Sequence, residues 1–395
     1  MTMPSSAPTG VSISGATITP SKIISRVVLV GGGHSHIQFL KSWAVDPIPE
    51  VEVVLVSDTP RTPYSGMLPG RLAGWYSDEE MHFHLARICA SSGIVYLNDR
   101  ALRVNDSDGR VYLESHPPLE FGIASLNVGI TPRLPEGATA HAHVIAVKPI
   151  SRLLAKWEAL LQRAGDQPAR WLVVGGGPSG FELAVILAMR SLQQKWNLQV
   201  SLLEEGMDIL PSQSFRVRSR ARAILAHHGI HVHTGWRVQR VDGMSLVATT
   251  GSRLEFDEAL FTTGACAPEW FKTCGFELSR EGFAVVDEFL RVHGTSRIFA
   301  SGDCAHFAPQ PLAKSGVFAV RQGPTLIRNI RSHIQGKNDR QPYRPQRRAL
   351  ALLTSGPRRA LLAYGSLALE GSWIWRWKSW IDRRFMRRFS PPSEA

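Results

Sequence analysis

Two stretches of this chain repeat one pattern of apolar and glycine positions. Val27-Val28-Leu29-Val30 is a continuous apolar run that breaks at Gly31-Gly32-Gly33-His34-Ser35-His36 and passes into a helical stretch at Gln38-Phe39-Leu40. Trp171-Leu172-Val173-Val174 likewise breaks at Gly175-Gly176-Gly177-Pro178-Ser179-Gly180 and passes into a helical stretch from Glu182 to Ala188. An apolar run without alternation predicts a strand buried on both faces, as in a parallel sheet. Each unit ends in a second apolar run closed by acid, Val51–Ser57 before Asp58 and Leu198–Leu203 before Glu204 and Glu205. The pattern predicts two βαβ units roughly 145 residues apart, hence an α/β fold of two Rossmann-like domains.

The glycines have separate jobs in such a turn. Gly31 and Gly175 permit the tight turn, Gly32 and Gly176 let backbone approach a pyrophosphate, and the third position lets helix and strand pack closely. Amides at the helix start, over Gly33, His34 and Ser35 and over Gly177, Ser179 and Gly180 around the helix-opening Pro178, then face the phosphates. Ser57 or Asp58, and Glu204, stand where a ribose hydroxyl would donate. The first copy departs from the pattern because His36 replaces the third glycine, so its imidazole must find a pocket or the helix must sit further out. His34 lies where the turn meets the phosphates, as a cofactor contact or as a plain polar helix start.

Two such motifs in one chain resemble the pyridine nucleotide-disulfide oxidoreductase superfamily of two-dinucleotide flavoproteins. Arg297–Asp303 resembles that family's late strand and Gly-Asp signature, which implies that Gly302 and Asp303 hold the flavin ribityl chain. Leu260–Gly264 and Ser125–Pro132 resemble its two partner strands, which adds Gly129 and Gly264 to the cofactor-binding set. The resemblance implies FAD on the first unit and NADH on the second, with the nicotinamide domain inserted in the flavin domain. The expected parts are a leader over 1–25, flavin-binding segments over 26–150 and 266–335, a nicotinamide domain over 151–265 and a C-terminal region over 336–395. Glu204 and Glu205 would repel a 2′-phosphate, which favours NADH over NADPH. Glu182 matches the acid of type II NADH dehydrogenases near the meeting point of flavin and nicotinamide. Lys314 and the helix start at Gly316 and Val317 are placed to stabilise charge on a reduced flavin. Glu182 and Lys314 are thus the expected catalytic residues.

The implied activity is an FAD-dependent NADH oxidoreductase whose acceptor is unidentified, with quinone among the candidates. No CxxxxC pair is present; Cys89, Cys266, Cys274 and Cys304 show no metal-ligand spacing, so neither thiol–disulfide chemistry nor a metal site is expected. Val317 and Arg321 stand where type II enzymes carry the two Gln of a quinone-site pattern. Gly31–His36, Tyr64–Gly70, Lys314–Pro324 and the Trp/Arg tail also resemble the flavoprotein module often fused to selenide, water dikinase. The alternatives are therefore a non-catalytic FAD/NAD-binding accessory of selenium metabolism and a sulfide:quinone reductase-like enzyme.

Charge changes one part of this picture. The net charge is +12, and residues 341–395 alone hold eleven Lys and Arg against three Asp and Glu. Trp373, Trp375, Trp377 and Trp380 lie among those cations, and at helical spacing Trp373, Trp377, Trp380, Ile381 and Phe385 share a face. Such a tail is either an interfacial helix on anionic lipid or a helix docked over the flavin domain. The expected setting is cytoplasmic, at the inner face of a membrane if the tail binds lipid. No nucleic-acid partner is expected, and a homodimer is left open.

Overall fold

The computed structural model describes residues 25–389 except 140, 166 and 347. The leader expected over 1–25 lies outside them save for Ser25, which already begins a strand. Along the chain, β1 (Ser25–Val30), α1 (His34–Val45), β2 (Val51–Ser57), β3 (Val95–Asn98) and β4 (Ile123–Leu126) come first. Next are β5 (Val144–Ala146), β6 (Ala169–Val174), α2 (Pro178–Gln194), β7 (Leu198–Leu203), β8 (His231–His233) and β9 (Glu258–Phe261). The last are β10 (Ile298–Ala300), α3 (Gly316–Ile334), β11 (Ala351–Gly356), β12 (Arg359–Tyr364), β13 (Leu367–Gly371) and α4 (Ser372–Phe389).

These elements form two five-stranded parallel sheets, ordered β10-β4-β1-β2-β3 and β5-β9-β6-β7-β8. The glycine-turn strands β1 and β6 sit at the centre of each, which is why their apolar runs do not alternate. Val27, Val28 and Leu29 are fully buried, with Val53 and Ile123 flanking Val27. The second sheet is inserted between β4 and β10 of the first. The two crossings between the halves pair with each other, Thr131–Pro132 lying antiparallel to Ala265–Cys266.

Beyond α3, the antiparallel sheet β11-β12-β13 packs on α2, and Leu353, Leu361 and Ala363 join the core of the second sheet. The tail forms the expected helix, α4, which lies on β12 and reaches α1. The face anticipated from spacing divides in two. Ile374, Lys378, Ser379, Asp382, Met386 and Phe389 are buried, and Phe385 stacks on Tyr64 at 4.7 Å. Trp373, Trp377 and Trp380 point outward, at 55%, 38% and 53% exposure. The tail is therefore docked on the body and also presents an aromatic outer face. Among the described residues, no helix is long and apolar enough to cross a membrane.

Candidate active site

The first glycine turn is locked from below by Asn127. Its backbone carbonyl accepts from Gly33 N–H, its side-chain oxygen accepts from Ser35 N–H, and its amide nitrogen donates to Ser301 O at 2.7 Å. Gly31 needs its freedom here, with φ +91° and a would-be Cβ 2.6 Å from the Asn127 carbonyl. Ser35 does not face the turn's mouth, since its hydroxyl donates to Ala319 O at 2.7 Å and ties α1 to α3. The Gly33 cap offers no side chain of its own, but Asn127 already takes the Gly33 and Ser35 N–H groups expected to face phosphate, which leaves the His34 N–H at that end for an anion.

His36 solves the missing third glycine by burying its ring. It is fully buried, with Nδ1 2.6 Å from Gly31 O and Nε2 2.9 Å from Ser125 Oγ. Burial, opposed only in part by the Gly31 carbonyl, lowers its pKa to about 4. The imidazole therefore braces the turn from within rather than meeting a ligand. At the end of β2, Ser57 is buried with its hydroxyl on Thr59 O, while Asp58 is half exposed beside Arg100 at 3.5 Å.

Asp303 stands at the opposite wall, where Lys148 donates to its carboxylate at 2.8 Å. Gly302, with φ +71°, donates its N–H to the buried Gln322 at 2.6 Å. The Ser315 side chain does not cap the α3 start at Gly316 and Val317, and Val317 is exposed. Lys314 is near but committed: its ammonium donates to Ala305 O at 2.5 Å and lies 3.8 Å above the Phe283 ring. Burial holds its pKa below the ordinary lysine range. Gly129 and Gly264, with φ +76° and +65°, flank the paired crossings.

The second turn keeps its third glycine, where packing is tight. A Cβ on Gly180 would fall 1.7 Å from Gly175 O, whereas one on Gly177 would meet open space. Pro178 opens α2 without an N–H to satisfy, and Pro178 and Ser179 are exposed at the turn. Glu204 is buried at the end of β7, accepting Gly176 N–H at 2.6 Å and Gly206 N–H at 2.8 Å. Each of those oxygens retains a lone pair for a ribose hydroxyl.

Glu182, one turn into α2, meets a group that spacing alone did not reveal. It accepts from Thr354 N–H of β11 at 2.7 Å, and burial raises its pKa, opposed by the Lys378 charge. Lys378 comes from α4, donating to Gly66 O at 2.6 Å and Asp382 at 2.8 Å. Burial works against its charge, but Asp382 and Glu182 outweigh it and hold the ammonium above the ordinary lysine range. A lysine among tryptophans and arginines gives no sign in sequence that it turns inward. Asn127, Lys148 and Gln322 were missed for the same reason, since their roles depend on strands brought together from afar.

No thiol pair stands at this site. All four cysteines are free; Cys304 is fully buried with its sulfur toward Ser301 O at 3.3 Å, and burial pushes its thiol up to about 11.

The residues present fit two dinucleotides: two helix starts over glycine turns, each without a side-chain cap from its own N-terminal residue and each with polar groups at the end of its second strand. The sequence matches the family model for pyridine nucleotide-disulphide oxidoreductase over residues 25–329. The chain belongs to that family. Its cofactors are FAD and a nicotinamide dinucleotide. An external alternative NAD(P)H-ubiquinone oxidoreductase of Arabidopsis thaliana is 25% identical, over 74% of this chain and 56% of its own length. A demethylphylloquinone reductase of Synechocystis sp. is 23% identical over 88% of each chain. The chain spans 31% and 56% of the first two curated relatives it matches. Among solved structures, NDH2 of Plasmodium falciparum in complex with NADH superposes with a TM-score of 0.77 at 15% identity, over 93% of this chain and 97% of that one. A sulfide:quinone oxidoreductase of Aquifex aeolicus superposes equally well, with a TM-score of 0.77, 15% identity and 94% of each chain covered. At that identity both likenesses concern the fold.

Proposed function

We propose that this chain is an NADH dehydrogenase that holds FAD on the first turn and NADH on the second and reduces an acceptor of the quinone class. The observation that carries the reading is the pair of open glycine turns in one chain that has no thiol pair between them. When bound, FAD supplies two-electron chemistry between the nicotinamide and the acceptor. The chain's own part is to bind and orient. The α1 start, through the His34 N–H and the helix dipole, takes phosphate, Asp303 takes a ribityl hydroxyl, and the uncapped start of α3 favours negative charge at Gly316 and Val317. Glu204 and Glu205 select a free 2′-hydroxyl, hence NADH over NADPH. Glu182, with its raised pKa and Lys378 nearby, is placed to hold a proton beside the meeting point of the cofactors. Lys314 acts through its field, since its ammonium is occupied by Ala305.

The names of the relatives support a quinone-class acceptor, and Val317 and Arg321 mean that its site is not built on the two Gln of type II enzymes. The motifs at Gly31–His36 and Lys314–Pro324 support kinship with the module fused to selenide, water dikinase. A sulfide:quinone reductase chemistry is disfavoured by the sealed Cys304. The outer face of α4 supports attachment to an anionic membrane surface. Anaerobic mixing with NADH tests the function. Bleaching of the flavin absorbance, followed by recovery on adding a quinone, is the expected result. An unchanged spectrum with NADH removes the enzyme reading and leaves a non-catalytic binder.

A further inference from the structure

Two buried polar atoms of this site are left without a partner, Ser301 Oγ beside Gly302 and Nε2 of His34, and only the second lies on a ring held in place by aromatic neighbours. His34 is partly covered, yet its Nε2 is sealed from solvent and has no hydrogen bond. A buried polar nitrogen without a partner is uncommon and costly, so it marks a place where a group is missing. The ring is not loose. Tyr64 meets it edge-on with centroids 5.4 Å apart, and Phe385 of α4 lies at 6.4 Å. A Cβ on Gly316 would come within 3.9 Å of its Cε1, so the imidazole borders the start of α3. It also lies within electrostatic reach of the Asp303–Lys148 pair on the facing wall. Burial lowers its pKa to about 4, so the ring is neutral at neutral pH and has one N–H and one bare nitrogen. A neutral ring is a poor counter-charge for a pyrophosphate but a good partner for a hydroxyl.

We propose that His34 is a cofactor-contacting residue whose Nε2 hydrogen-bonds a ribityl hydroxyl of FAD, sharing the sugar-alcohol chain with Asp303 while Tyr64 and Phe385 fix the ring. This inference rests on FAD occupying the first turn. It assigns the ring a hydroxyl rather than a phosphate, and gives α4 a share in cofactor recognition through Phe385. His36, two residues on, cannot do this, because both of its nitrogens are already engaged.

The test uses the full chain stripped of flavin and titrated with FAD, read by flavin fluorescence. His34→Phe fills the same aromatic slot without nitrogen and is expected to weaken FAD about tenfold, the size of one hydrogen bond to a neutral group. His34→Gln restores a polar end and is expected to recover most of that loss. FAD analogues each lacking one ribityl hydroxyl give a second reading. One of them should bind wild type about tenfold more weakly, yet bind His34→Phe no worse than FAD does. Equal affinity of wild type and His34→Phe for FAD overturns the inference while leaving the cofactor assignment in place. So does a His34→Phe loss that no hydroxyl deletion matches. A wild-type chain that takes up no FAD at all overturns the assignment beneath it, and the inference falls with it.

Discussion

At the scale of single residues, His36 shows how a broken rule is compensated. Where the second turn keeps Gly180, the first places an imidazole whose two nitrogens are both spoken for, by Gly31 O and Ser125 Oγ. This arrangement needs the ring uncharged. Its pKa is lowered to about 4 from the ordinary 6.5, so between these values the unfolded chain binds a proton that the folded chain refuses. Stability is therefore complete above pH 6.5 and falls as the pH drops toward 4, by about 1.4 kcal/mol per pH unit for one histidine. We expect the urea midpoint of flavin-free protein to decline between pH 6.5 and 5, and His36→Gln to remove about half of that decline, the rest belonging to His34, whose pKa is lowered equally. An equal slope in both proteins would show that the ring is protonated in the fold. The turn glycines were legible in sequence because backbone geometry demands them at fixed spacing. Asn127, Lys148 and Gln322 were not, because a polar side chain's partner lies across the fold and leaves no local trace.

At the scale of elements, continuous apolar runs announced β1, β2, β6 and β7, since a strand covered on both faces cannot alternate. α4 was legible as a helix but not in its orientation. Reading Trp as the apolar face misassigned the buried side, which is made by Ile374, Met386 and Phe389 with a lysine and an aspartate between them. Lys378 and Asp382 could not be recognised as inward from spacing, because charged residues in a basic helix usually face water. The pair now gives α4 a structural duty. Lys378→Met would leave Asp382 and Glu182 buried without their cation, a loss of about 3–5 kcal/mol for a buried pair broken on one side. We expect a markedly lower thermal midpoint for Lys378→Met. The double change Lys378→Met with Asp382→Leu should recover part of it, because no lone charge remains on α4. Truncation after Glu370 should destabilise still further, as it also uncovers Tyr64 and Phe83. A Lys378→Met protein as stable as wild type would mean that the pair contributes nothing to docking.

At the scale of the whole molecule, charge and aromatic surface coincide on one side of α4. Its inner face is anchored to the body, so its outer face is held in a fixed place rather than swinging on a linker. Trp373, Trp377 and Trp380 are exposed there beside Arg376, Arg384, Arg387 and Arg388, and the Arg384 guanidinium lies 5.4 Å over the Trp380 ring. Exposed tryptophans interleaved with arginines suit the headgroup layer, where the ring enters the boundary and the cation meets lipid phosphate. Each cation near an anionic surface contributes about 1 kcal/mol, and salt screens that term while leaving the tryptophan contribution in place. We therefore expect the holoprotein to sediment with vesicles rich in anionic lipid at low salt, to bind less well at 0.5 M salt, and to ignore neutral vesicles. Replacing Trp373, Trp377 and Trp380 together by Ser should abolish sedimentation while leaving flavin content unchanged and costing far less stability than truncation after Glu370, because the buried face of α4 is made by other side chains. Loss of flavin, or a loss of stability as large as that of truncation, in that triple variant would show that the tryptophans serve the body of the protein. Absence of wild-type binding at low salt would rule out the membrane surface as what this face meets.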